Sequence, residues 1–192
     1  MSGLGLILVG VLTLGVQGAH ALISGLVAPD TPAAPVAAEA LDPSETPVRL
    51  DIPTAGISVP LSGAGLTEDG EINPPQGEVT WYTGHDRATP GRLGTAVIAG
   101  HVSYYSEPDV FADLDQVADG DKVTITFADG VTLEMDIVST HLVDKDELQT
   151  SDLVWGDQKD SRRVAIVTCD ETLGFGEDGH RKANFVAIAQ LG

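Results

Sequence analysis

The chain has 192 residues and only one cysteine, Cys169. It can therefore form no intrachain disulfide and no all-cysteine metal site. Positive charge is also scarce: 10 Lys and Arg stand against 29 Asp and Glu, a formal net charge of −19. That deficit argues against nucleic-acid binding, which needs cations to neutralise phosphates, and against a polybasic membrane-surface module. Aromatic residues make up 5% of the chain, so a core must rest on Val, Ile, Leu and Ala. The hydrophobic share of 42% nevertheless excludes a disordered acidic tail. The length suits one domain of ordinary size with extensions.

Residues 1–29 carry no charged side chain at all. The stretch from Leu4 to Ala28 is almost wholly apolar. It exceeds the ~20 residues needed to cross a bilayer. Its glycines make it a poor soluble helix. Residues 1–28 thus read as an N-terminal membrane anchor or a signal segment. Ala19-His20-Ala21 has the small-x-small form of a cleavage site. The apolar run continues beyond it through Leu22, Ile23, Leu26 and Val27, which favours the anchor. Residues 29–46 read as a Pro/Ala-rich linker, since five of the chain's 11 prolines lie between Pro29 and Pro47. Such a segment is extended and builds no core. Residues 47–192 are then the folded domain, held outside the cytoplasm.

That domain reads as mainly β. Val48–Ile52 alternates apolar and polar residues, and Ile57–Leu61 follows Gly56 as a second strand. Thr95–Ala99 is a continuous apolar run, suited to a strand buried on both faces. Lys122–Phe127 and Val131–Ile137 flank Asp129-Gly130, a hairpin signal. Val164–Val167 and Asn184–Ala189 complete the set. A helix is expected after Ser106, with Pro108 in its first turn, Val110, Phe111, Leu114 and Val117 as its apolar face, and Gly120 as its end. About eight short strands with one or two short helices suggest a closed barrel.

Cys169 ends a strand and precedes a Gly-rich acidic loop. Free cysteines are commonly small buried hydrophobes. His101 also ends a strand, after Gly100, where glycine admits a close neighbour. A His and a lone Cys at separate strand ends make a catalytic pair plausible, because an imidazole can hold a thiolate near neutral pH. His85 falls in a turn, His141 follows a hairpin strand, and His180 lies in the loop after the cysteine. Arg181 and Lys182 open the last strand. An Arg there suits a developing oxyanion, or else pairs with Glu177 and Asp178.

The order and context of these residues resemble the sortases, cysteine transpeptidases of Gram-positive cell surfaces. Thr95-Ala-Val-Ile-Ala-Gly-His101 is similar to the family's segment ending in its catalytic His. Ala165-Ile-Val-Thr168-Cys169 is similar to its Thr-Leu-x-Thr-Cys strand, with Ala165 and Ile166 at the first two places. Arg181 falls where the family's Arg opens the last strand, although Lys182 holds the place that counting back from Asn184 gives. The segments RLDIPTAGI, Thr80–Gly84 and Pro108–Phe111 also fit. The likeness covers about residues 48–190 and is greatest to the actinobacterial class F branch, then class E.

The resemblance implies an eight-stranded sortase-type barrel behind a transmembrane helix. It implies that Cys169 attacks the Thr–Gly carbonyl of an LPxTG-like sorting signal, that Arg181 stabilises the oxyanion, and that His101 moves the proton. Thr168 would line the substrate groove. An amine from a peptidoglycan precursor or a pilin would accept the acyl group. No cofactor or metal is implied. The acidic residues Asp144, Asp146 and Glu147 lack a complete calcium-loop spacing and read as a solvated loop. The opposing expectation is a surface-anchored β-barrel binding module or an inactive relative.

Overall fold

The computed structural model describes residues 46–177, 179 and 181–192. The expected anchor, all but one residue of the linker, Asp178 and His180 lie outside the described residues.

Ten strands form: β1 (Pro47–Ile52), β2 (Ile57–Ala64), β3 (Val79–Tyr82), β4 (Gly94–Gly100), β5 (Ser103–Tyr104), β6 (Glu107–Pro108), β7 (Lys122–Phe127), β8 (Thr132–Asp144), β9 (Arg162–Cys169) and β10 (Ala183–Gln190). Eight of them close a barrel in the order β1-β2-β3-β4-β9-β10-β8-β7, with β7 returning to β1; β5 and β6 make a separate small hairpin. Most neighbours are antiparallel, but β2–β3 and β4–β9 are parallel. The hairpin read at Asp129-Gly130 is present. Gly130 has φ 85°, and the Asp129 carboxylate accepts the Val131 N–H at 2.9 Å.

Alternation along the strands divides the apolar residues into two clusters. The barrel interior holds Leu50, Ile52, Ile98, Phe111, Ile125, Leu133, Met135 and Ile166. The opposite face of β4, β9 and β10 carries Val97, Ala165, Val167, Val186 and Ile188. The connection from β8 to β9 covers that outer face with α1 (Lys145–Leu148) and α2 (Asp152–Trp155), placing Val154, Leu148, Leu153 and Trp155 on it. Both faces of these three strands are therefore buried, which is why they read as continuous apolar runs.

The helix expected after Ser106 does not form. Tyr105 and Ser106 have φ 48° and 69° and make the turn between β5 and β6. Beyond it the backbone bonds run three residues back (Ala112 to Asp109, Leu114 to Phe111, Val117 to Leu114), giving successive turns and a short 3₁₀ stretch at Leu114–Gln116. The Asp109 and Phe111 N–H groups bond back to the carbonyls of Val102 and His101, a tether that a regular helix would break. The apolar face was legible nonetheless, since Phe111, Leu114 and Val117 are buried. The short α-helices occur instead at α1 and α2. The acidic run read as a loop forms the start of α1, where the Asp144 side chain accepts the Asp146 N–H at 2.9 Å.

Candidate active site

The parallel pairing of β4 with β9 aligns Ala99 with Val167. Two residues further along each chain stand His101 and Cys169. The antiparallel pairing of β10 with β9 sets Asn184 opposite Cys169. His101, Cys169 and Asn184 thus come to one end of the barrel and line one cleft of about 890 Å³. The cleft continues over the outer apolar face. Its walls are the β2–β3 connection, through Glu71, Ile72 and Pro74, and the α1–α2 segment, through Lys145, Leu148 and Trp155.

Local contacts fix the end of β4. Thr168 is buried, and its hydroxyl donates to the Gly100 carbonyl at 2.9 Å, tying β9 to β4 one residue before His101. Thr168 borders the cleft, but that hydroxyl is committed to the backbone. A Cβ on Gly100 would lie 2.7 Å from the Phe111 ring, so glycine here permits the returning segment to pack on the strand end. Asn184 donates its amide N–H to the Thr168 carbonyl at 3.2 Å, while its Oδ1 is buried without a partner.

His101 Nε2 lies 2.8 Å from the Pro74 carbonyl oxygen. A carbonyl only accepts, so Nε2 carries a proton and Nδ1 is the nitrogen open to proton exchange. The Tyr104 ring sits 5.5 Å from the imidazole, centroid to centroid. Burial pushes the Cys169 thiol above its ordinary value, and Glu171 adds to the rise. The positive charges of Lys145, and less so Arg181, draw it down. The balance remains upward, so the resting side chain is a thiol.

Arg181 stands outside the regular ladder. It forms a single bridge with Phe175, and its guanidinium lies 4.3 Å from that ring's centroid. Its Nη2 pairs with the Glu171 carboxylate at 2.6 Å, and Ser103 donates to the same oxygen at 2.8 Å. Arg181 lies within electrostatic reach of Cys169 but is not among the residues lining the cleft. Glu171 and Cys169 both border a second, small cavity of about 60 Å³. Lys182 is exposed; its N–H donates to Gly174 O and its carbonyl accepts the Lys145 N–H.

Residues 50–191 match the family model described as the sortase domain. The chain is a member of the sortase family. Sortases are cysteine transpeptidases that act outside the cytoplasm on sorting signals. No curated protein is significantly similar to the chain. Among solved structures it is similar to the Clostridium perfringens sortase D5 transpeptidase, at 22% identity and TM-score 0.54 over 76% of this chain and 78% of that one. The sortase A of Listeria monocytogenes matches at 19% and 0.53, over 77% and 87%. The SrtA sortase of Actinomyces oris matches at 20% and 0.55, over 78% and 81%. At such identities the likeness is one of fold.

Within this sortase barrel, several cleft residues escaped sequence reasoning. Lys145 sat in what read as a solvated acidic run, and Pro74 in an unassigned loop. His85 read as a turn residue. It does occupy a turn, with φ 52°, yet it lines the far end of the cleft, where its Nδ1 meets the Tyr82 hydroxyl. A Cβ on Gly84 would collide with that hydroxyl, a signal that the Gly-His pair carried without revealing its partner. Trp155 stands edge-on to Tyr82 at 6.1 Å and closes this end.

Proposed function

We propose that this sortase, class F-like and held at the membrane by residues 1–28, cleaves an LPxTG-like sorting signal between Thr and Gly and passes the acyl group to an amine. The amine belongs to a peptidoglycan precursor or a pilin. The observation that carries the reading is the placement of His101 and Cys169 at matched ends of two parallel neighbours, opening into one cleft.

The Cys169 proton passes to His101 Nδ1. The thiolate forms a bond to the Thr carbonyl carbon, and the π pair moves to oxygen. Arg181 stabilises that oxyanion, in keeping with its electrostatic reach to Cys169. Collapse breaks the C–N bond, and the imidazolium protonates the departing glycine amine. The thioester is then attacked by the acceptor amine, whose proton returns to His101. Thr168 supports the groove by fixing Gly100. The alternative, a binding module, draws on the raised thiol and on the engagement of Arg181 with Glu171.

The test incubates full-length protein with Leu-Pro-x-Thr-Gly peptides and an added amine, beside Cys169→Ala. The reading expects a Cys169-dependent acyl-enzyme mass and an amine-transfer product. Folded protein that gives neither would favour the binding module.

A further inference from the structure

The expected cation, Arg181, is matched by a carboxylate and lies off the cleft, which leaves the question of what charge faces the cleft side of Cys169. Lys145 does. It is the first residue of α1, and its N–H is held by the Lys182 carbonyl at 3.0 Å. The preceding residue, Asp144, pairs with Ala183, and the next residue of β10, Asn184, pairs with Cys169. Lys145 therefore starts two strands from the nucleophile, roughly 10 Å across and two residues along the strands, a span that its four-carbon stem shortens. It lines the cleft together with Cys169 and His101. Among the described residues no carboxylate lies within ion-pair distance of its ammonium. At the sulfur the positive charge of Lys145 outweighs that of Arg181, and Glu171 opposes both.

We propose that the Lys145 ammonium is the cation on the cleft side of Cys169, holding first the thiolate and then, alongside Arg181, the carbonyl oxygen as attack makes it negative. The role toward the oxyanion rests on the transpeptidase reading; the role toward the thiolate does not. In the step itself Sγ bonds to the carbonyl carbon, the π pair moves to oxygen beside Lys145, and the thiol proton resides on His101. The charged and titratable groups bordering the cavities at Cys169 or acting on it are His101 from the end of β4, Lys145 from α1, Asp69 and Glu71 before β3, Tyr82, His85 and Arg87 at and after its end, Asp115 before β7, Arg181 before β10, and Asp170 and Glu171 from the loop after β9.

The test has two arms on full-length protein: wild type, Lys145→Met, Lys145→Arg and Lys182→Met. In the first, iodoacetamide alkylation of Cys169 is followed against pH by mass. Lys145→Met is expected to alkylate about tenfold more slowly at neutral pH, with its rise displaced to higher pH. Lys145→Arg should restore the rate and Lys182→Met should match wild type. In the second, acyl-enzyme formation from a Leu-Pro-x-Thr-Gly peptide should fall about 10²-fold in kcat for Lys145→Met with KM little changed. An unchanged alkylation profile in folded Lys145→Met overturns the proposal, as does a larger loss in Lys182→Met. If wild type forms no acyl-enzyme while the alkylation arm responds to Lys145, the transpeptidase reading falls and the thiolate role stands.

Discussion

At Cys169 burial and charge oppose each other. Desolvation disfavours the thiolate, and two nearby cations recover only part of the loss. Because the balance raises the thiol above its ordinary value, less thiolate exists at any given pH than in a free cysteine. Alkylation of the wild-type protein should therefore be slow at pH 7 and still climbing beyond pH 9. A rate that levels off below pH 8 would contradict this balance. Thr168 offers a second test at this scale. Thr168→Val keeps the shape but leaves the Gly100 carbonyl without its donor. The expected cost is about 1–3 kcal/mol in urea unfolding. Acyl-enzyme formation should fall as well, since the lost bond secures the residue before His101.

At the scale of elements, the end of the barrel that holds His101 and Cys169 is set by how β4 and β9 run. Parallel neighbours finish at the same end of the sheet, and their register brings His101 and Cys169 level. The segment after β4 reinforces that end. Phe111 packs on Gly100 and bonds its N–H to the His101 carbonyl at 2.9 Å. Gly100→Ala should push Phe111 aside, at a cost of about 1–3 kcal/mol from overpacking. The thermal midpoint measures this. The smaller ring-free side chain of Phe111→Leu should relieve part of the loss in the double variant. Equal losses in single and double variants would show that the strain lies elsewhere.

For the whole molecule, the charge of −19 sets a condition on stability. Like charges repel in the folded state. The surface pairs Arg49–Asp51, Lys122–Glu134, Lys122–Asp136 and Lys159–Asp157 offset little of this, because water and salt screen ion pairs on the surface. Salt screens the repulsion more than it weakens those pairs. The thermal midpoint should rise when sodium chloride is increased from low ionic strength to about 0.5 M, where the screening length is only a few ångströms. A falling midpoint would mean that favourable pairs dominate.

Seven of the eight barrel strands were legible in the sequence because period-two alternation and continuous apolar runs record burial directly, as in Val123, Ile125 and Phe127 or in Thr95–Ala99. The short strand β3, Val79–Tyr82, was not read as one: four residues give alternation too little length to register. Sequence order also pointed to His101 and Cys169, whose types carry their own chemistry. It recorded the apolar face of Phe111, Leu114 and Val117 but not their backbone, because turns and helices bury similar spacings. Only the tertiary structure decided the rest. The parallel pairing of β4 with β9 joins strands more than 60 residues apart in the chain. The antiparallel pairings of β10 with β8 and β9 carried Lys145 into the cleft, and the connection from β9 to β10 folded Arg181 onto Glu171. A charged side chain's role depends on which partner the fold places within reach, and that distance is set by the register of strands far apart in the chain.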